Sequence, residues 1–184
     1  MEYCIIISGS GGQGILSLGK ILTSSGMNDG HNVTFYPSYG AEVRGGTCHS
    51  GIIISDSTIA SPIVSKADAL IMFNEPSLKR FLPMMKDNGL VIYNTTLTPN
   101  PPEFDGSYDV RKIPATDIAN QMELPRAMNM VIMGFFFRFF GLIQKETFLD
   151  DCDKHFVKLS QQVKGRNKEA FYKGYEYDLT ESKC

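Results

Sequence analysis

No two cysteines in these 184 residues lie close enough to build a metal knuckle. The four stand at positions 4, 48, 152 and 184, with no C-x-x-C. That spacing excludes a zinc ribbon or a cluster-binding cysteine run within the chain. A disulfide framework is equally out of keeping with an α/β chain read as cytosolic, so the thiols are expected to be free. Basic excess is missing too: 18 Lys and Arg against 20 Asp and Glu leave a net charge of -2. A nucleic-acid partner, which calls for a basic face, is therefore not expected. The longest strongly apolar stretch, Met128 to Ile143, carries Arg138 and is too short to cross a bilayer, so no membrane insertion is expected. There is no charged-then-apolar leader, which leads to the expectation of a cytoplasmic protein. No repeat, low-complexity tract or domain boundary interrupts the chain. Residues 1–184 are read as a single domain, with 42% apolar and 21% charged residues as in ordinary globular proteins.

What the sequence does contain is a series of short apolar runs between turn signals. Tyr3 to Ser8, Asn32 to Tyr36, Ser50 to Ser55, Ala69 to Phe73, Leu90 to Tyr93 and Tyr108 to Ile113 read as strands. Their near-continuous Ile, Val, Leu and Phe suit strands covered on both faces. Helical spacing links Ile15, Leu18, Ile21 and Leu22, and again Leu78, Phe81, Leu82 and Met85 within a helix from Pro76 to Met85. Pro114 to Asp117 opens another helix, and Asn129 to Phe140 forms a long apolar one. Thr147 to Val163 and Lys168 to Gly174 read as two more. Phe135, Phe136, Phe137, Phe139 and Phe140 put aromatics on every side, as in a helix covered all round. The expected fold is α/β: a three-layer, Rossmann-like, mainly parallel sheet of about six strands with a helical C-terminal third.

The most informative feature is Gly9-Ser10-Gly11-Gly12-Gln13-Gly14, between the run Cys4 to Ile7 and the helical pattern from Ile15. Glycines at 9, 11 and 14 fit G-x-G-x-x-G in a strand-turn-helix context. A helix opening there aims free N–H groups and a positive dipole end at an anion above the turn. The alternative is a tight turn that only lets strand and helix pack closely. A dinucleotide site would place Asp or Glu at the end of the second strand. That strand ends in Pro37-Ser38, Asp29 lies before it, and no Walker-type lysine follows the glycines.

A second unusual segment, Tyr39-Gly40-Ala41-Glu42-Val43-Arg44-Gly45-Gly46, follows the second strand and so belongs to the same sheet edge as the glycine turn. Arg44 is suited to fork onto a phosphate or carboxylate, with Glu42 holding it in place. The pair reads equally as solvated surface charge. His49, entering a strand, reads as structural. Cys48 and His49 point to opposite faces and form no dyad. The candidate cofactor-binding set is Gly9, Gly11, Gly12, Gln13, Gly14, Tyr39, Glu42, Arg44, Gly45 and Gly46. No catalytic residue and no metal ligand is assigned.

The glycine turn, the Ser38-to-Gly46 segment, Ser61-Pro62, Ala67-Asp68, Phe73-Asn74, Pro114-Ala115-Thr116 and Asn129 to Gly134 occur in an order that resembles the gamma subunit of 2-oxoacid:ferredoxin (or acceptor) oxidoreductases. The resemblance runs from Tyr3 to about Gly174. It departs in one place, where a small, glycine-containing approach to the Asn-Met-Val helix is replaced by Glu123-Leu124-Pro125-Arg126-Ala127. It implies oxidative decarboxylation of a 2-oxoacid to its acyl-coenzyme A, with 2-oxoglutarate first, pyruvate second and branched-chain acids third. It also implies coenzyme A, thiamine diphosphate, Mg and [4Fe-4S] clusters, the last three on partner subunits. Those partners would be thiamine-binding alpha and beta subunits and a ferredoxin-like delta subunit, met in part through the loop Tyr39 to Gly46. The resemblance leaves room for a homodimer when the chain is alone, and implies inactivity in isolation. Competing readings are a free-standing nicotinamide or flavin oxidoreductase and a pure assembly module.

Overall fold

The computed structural model describes residues 1–39, 47–104 and 106–178, with the backbone alone at Tyr39. The order is β1 (Glu2–Ser10), α1 (Ile15–Asn28), β2 (Asn32–Tyr39), β3 (Thr47–Ser55), β4 (Ala67–Met72), α2 (Glu75–Phe81), β5 (Met85–Asn94), β6 (Asp109–Ile113), α3 (Ala115–Gln121), α4 (Met128–Phe137), α5 (Lys145–His155) and α6 (Gln161–Tyr175). The strands form one six-stranded sheet in the order β2-β3-β1-β4-β5-β6. It is the mainly parallel sheet with a helical C-terminal third that the apolar runs predict. Only β3 runs antiparallel, to β1 on one side and β2 on the other. The span from Tyr39 to Thr47 is shorter than the dozen or so residues a parallel crossover needs, so the chain returns beside itself.

Side chains alternate across the sheet as the pleat requires. Ile5, Ile7, Ile52, Ile54, Ile71 and Ile92 join the core under α1 and α4, whereas Ile6, Ile53, Leu70, Met72 and Val91 meet Leu78 and Phe81 of α2. Both faces are covered, which is why the strands read as continuous apolar runs rather than alternating ones. Pro37 is tolerated because β2 is an edge strand, opposite Ser50 of β3.

In α4 every residue except Asn129 is buried. Its contact with α6 is built on two glycines. A Cβ on Gly134 would collide with the carbonyl of Phe171, and one on Gly174 with the carbonyl of Val131. The two helices therefore cross backbone to backbone, at a separation no larger side chain allows. Asp29, just past α1, ties α5 to the same layer. Its carboxylate accepts from the Gln144 N–H at 2.6 Å and the Thr147 hydroxyl at 2.7 Å.

Four helices differ from expectation; α4 ends at Phe137 rather than Phe140. The helix expected from Pro76 to Met85 ends at Phe81, a 3-10 turn covers Leu82–Met84, and Met85 already opens β5. Pro83 has no N–H to continue the ladder. The helix expected from Thr147 to Val163 stops at His155, and a new one starts at Gln161 and runs unbroken through the gap expected before Lys168. Ser160 causes the restart, since its hydroxyl accepts from the Val163 N–H at 3.3 Å as an N-cap.

After α3, the N–H groups of Glu123 and Leu124 donate to the carbonyls of Asn120 and Ala119. This double closure needs a left-handed residue at Glu123, whose φ is 56°.

Two stability outcomes follow. Gly174→Ala ought to gain about 1 kcal/mol from helix propensity in an open helix. Here the collision reverses the sign, and a loss of about 2–3 kcal/mol is expected from urea unfolding of the purified chain; any gain would rule out the tight crossing. Glu123→Gly, by contrast, should raise stability by about 1 kcal/mol, because glycine adopts the left-handed cap without strain.

Candidate functional site

The glycine turn closes on itself at the carboxyl end of β1. The Gln13 N–H donates to the Ser10 carbonyl at 3.2 Å, and the Gln13 side-chain oxygen accepts from the Ser10 N–H at 2.7 Å. Left-handed backbone falls at Gly12 (φ 95°) and Gly14 (φ 81°), so the conformational demand lies there rather than at Gly11. Gly9 serves the base of the turn, where a Cβ would come within 2.8 Å of Phe73 Cβ and 3.0 Å of Ile15 Cδ1. Gly14 is the N-cap of α1 and supplies no side-chain acceptor, and the first turn holds no acidic residue. The positive end of a 14-residue helix is thus left without an anionic group of its own.

Opposite the turn stands the start of α4. Asn129 Nδ2 lies 2.6 Å from where a Gly14 Cβ would sit, so a side chain at 14 would displace that amide. Between these elements opens a cleft of about 750 Å³. The glycine turn and the approach to α4 bring polar Gln13, Ser17, Arg126 and Asn129 together with apolar Pro125, Met128 and Met130. The other side is largely apolar, with Phe156, Leu159 and Val163 from the α5–α6 junction and Asn167 beside them. Arg126 is exposed, in a 3-10 turn from Pro125 to Ala127, and no carboxylate pairs with it among the described residues. A guanidinium, an unopposed helix N-terminus and two side-chain amides beside an apolar wall suit a ligand with an anionic part and an apolar part.

The structure thus brings together Gly12, Gln13 and Gly14 of the candidate set. Gly9 and Gly11 belong to the turn but not to the cleft lining. Tyr39 ends β2 opposite Cys48, and its backbone position is all that is described. Glu42, Arg44, Gly45 and Gly46 lie outside the described residues. The anchors on either side of them are fixed, however. Thr47 pairs with Ser10, so the segment leaves and re-enters the sheet at the level of the glycine turn. Sequence reasoning missed Arg126, Asn129, Ser17 and the apolar wall. The wall was hidden because Phe156 and Leu159 read as the interior of one helix, whereas the break before Ser160 turns them to the cleft. The departure at Glu123 to Ala127 was the available signal for Arg126.

His49 packs on the other face of the sheet, its ring centroid 4.8 Å from that of Phe81. Burial, with the nearby Arg80 charge, holds its pKa below the ordinary histidine value. This fits a neutral, packed ring. Nearby, Ser8 Oγ donates to the Cys48 carbonyl at 3.1 Å and shares a hydroxyl–hydroxyl hydrogen bond of 3.0 Å with Ser77 Oγ. Asn74 caps α2 through Ser77 N–H and reaches Ser10 Oγ at 2.8 Å. These polar groups hold the ends of β1 and β4 together. No group of three or more His, Cys, Asp or Glu that could hold a metal ion occurs among the described residues. No helix among them is long and apolar enough to cross a membrane.

Comparison with known proteins bears on the fold and the family. Residues 4–177 match the family model described as pyruvate ferredoxin/flavodoxin oxidoreductase. The 2-oxoglutarate synthase subunit KorC of Methanocaldococcus jannaschii is 34% identical over 96% of this chain and 94% of its own length. The ketoisovalerate oxidoreductase subunit VorA of Methanothermobacter marburgensis is 37% identical over 72% of this chain, but that match spans only 27% of VorA. Among solved structures, the gamma subunit of a keto/oxoacid ferredoxin oxidoreductase from Geobacter sulfurreducens superposes with a TM-score of 0.84 at 25% identity, covering 100% of this chain and 99% of that one. The 2-oxoglutarate:ferredoxin oxidoreductase of Magnetococcus marinus, solved with 2-oxoglutarate, coenzyme A and succinyl-CoA bound, gives 0.87 at 25% identity over 94% of this chain and 30% of its own. The chain is thus similar to a fraction of some longer proteins and to the whole of other, stand-alone subunits. It belongs to the pyruvate ferredoxin/flavodoxin oxidoreductase family.

Proposed function

We propose that the chain serves a complex that oxidatively decarboxylates a 2-oxoacid to its acyl-coenzyme A, passing electrons to ferredoxin or another acceptor. Within that complex its own contribution is to bind coenzyme A at the glycine-turn cleft. The observation that carries this reading is the pairing, in one cleft, of an unopposed helix N-terminus and Arg126 with the apolar wall of Phe156, Leu159 and Val163. Coenzyme A has the same division, phosphates at one end and a pantetheine arm at the other. The Magnetococcus enzyme, 30% of whose chain is matched, is solved with coenzyme A bound, which supports coenzyme A as a ligand of such a complex.

The residues of the cleft bind and orient; none is a nucleophile or a proton donor toward a reacting atom. Backbone N–H groups at the start of α1 and the Arg126 guanidinium hold phosphate oxygens. The left-handed glycines keep that approach clear. The apolar wall excludes water along the arm. Arg44 is a second candidate phosphate ligand, and Tyr39 to Gly46 the proposed contact with the subunits that hold thiamine diphosphate, Mg and the [4Fe-4S] clusters. When bound there, thiamine diphosphate supplies the carbanion chemistry of decarboxylation. Those partners are proposed as thiamine-binding alpha and beta subunits and a ferredoxin-like delta subunit. For the acid, 2-oxoglutarate remains the first choice: KorC and the pyruvate synthase subunit PorC of Thermotoga maritima are both similar over nearly their full lengths, at 34% and 29% identity. The curated relatives otherwise divide among several 2-oxoacids. The proposed place of action is the cytoplasm.

The direct test is to co-purify the chain with its partners, identify them, and assay 2-oxoglutarate, pyruvate and ketoisovalerate. Thiol-dependent electron transfer is expected from the complex and none from the isolated chain. Arg126→Ala is expected to raise the KM for coenzyme A about tenfold. Unchanged kinetics in that variant would remove the cleft from the reaction. Micromolar binding of NAD(H), NADP(H) or flavin to the isolated chain would favour a nucleotide-dependent oxidoreductase instead.

A further inference from the structure

A second polar cavity, of about 420 Å³, opens between α1 and α5 and is not used by the reading above. Lys20, Ile21, Ser24 and Asn28 line it from α1, and Asp151, Lys154 and His155 from α5. It lies on the same flank of α1 as the glycine-turn cleft. Ser17 lines the first cavity, and Lys20 and Ile21, one helical turn on, line the second. Across from them, Phe156 lines the first and its neighbour His155 the second. At the α-helical rise, Lys20 stands about 9 Å along the axis from Gly14.

The charges in this cavity are arranged rather than scattered. Asp151 is 3% exposed. Its two oxygens take the Asn28 amide at 3.0 and 2.8 Å, and one also takes Lys154 Nζ at 2.9 Å. The buried carboxylate therefore fixes Lys154 at the cavity wall and is itself satisfied. Lys20 has no such partner: no carboxylate lies within ion-pair distance of it among the described residues. Among the lining residues Lys20 and Lys154 stand against Asp151 alone, with the His155 ring beside them; Asp150, outside the lining, also acts on Lys154.

We propose that Lys20, Lys154 and His155 form a second anion subsite that takes the 3′-phosphate of coenzyme A. This rests on the reading that coenzyme A occupies the glycine-turn cleft. Coenzyme A carries two phosphate groups of different kind near one ribose, a 5′-diphosphate and a 3′-monophosphate. The two cavities offer two cationic places along one helix flank. With the diphosphate at the start of α1, the 3′-phosphate falls toward Lys20, one to two turns further on. The subsite would distinguish coenzyme A from nucleotides and thioester carriers that lack that phosphate.

The test compares coenzyme A with 3′-dephospho-coenzyme A as thiol acceptors for the assembled complex. The wild type is expected to prefer coenzyme A by about tenfold or more in kcat/KM, mainly through KM. Lys20→Glu and the double variant Lys20→Gln/His155→Gln should bring that ratio close to one, and Lys20→Arg should retain it. Lys20 is exposed, so these changes are expected to leave folding and subunit stoichiometry intact, which circular dichroism and gel filtration check. A wild-type complex that uses both thiols equally, or a preference that survives in Lys20→Glu, overturns the subsite while leaving the coenzyme A reading standing. Absence of turnover with either thiol in a complex that still decarboxylates its acid overturns both.

Discussion

The crossing of α4 and α6 at Gly134 and Gly174 is the constraint on which the site depends. Each glycine faces a backbone carbonyl of the opposite helix, so the separation is set by main chain and not by side-chain size. That contact joins α4 at Val131 to Phe135 to the last turn of α6, Phe171 to Tyr175, while Asn129 stands at the start of α4 and Val163 and Asn167 in the first half of α6. All three belong to the cleft wall. The other wall is α1, held by the sheet beneath it and by Asp29 to the head of α5. The same packing places Arg126 and the glycine turn beside one cleft.

Much of the fold was legible because its signals are local. Continuous apolar runs identify doubly covered strands, and the all-round aromatic pattern from Phe135 identifies a helix buried on every side. The direction of β3 was not legible from periodicity, since parallel and antiparallel central strands share the same pattern. It follows instead from the short connection before Thr47. The helix ends at Phe81 and His155 were missed for a similar reason. Apolar spacing continues past both, and a missing N–H at Pro83 and an N-cap at Ser160 override it.

The site was half legible. A glycine turn between strand and helix announces itself, and Gly12, Gln13 and Gly14 line the cleft. Its partners come from positions over 100 residues later, with Arg126 behind a left-handed Glu123 and the apolar wall at a break in a helical pattern. Nothing in the spacing ties those residues to the turn; only packing does. Gln13 also shows how an apparent ligand can be committed elsewhere. Its side-chain oxygen closes the turn on Ser10 and is thereby committed to the fold.

Pro37 in β2 bears on how copies of this fold can meet one another. An edge strand normally offers a row of donors and acceptors on which a further strand can grow. Proline has no N–H, and Pro37 sits within β2, three positions from its last residue counting both ends. A foreign strand laid along this margin would lose its ladder before reaching the cleft end of the sheet. The molecule is thereby steered away from open-ended stacking through its sheet, and stable association is left to its helices and loops, where shape and charge decide the fit.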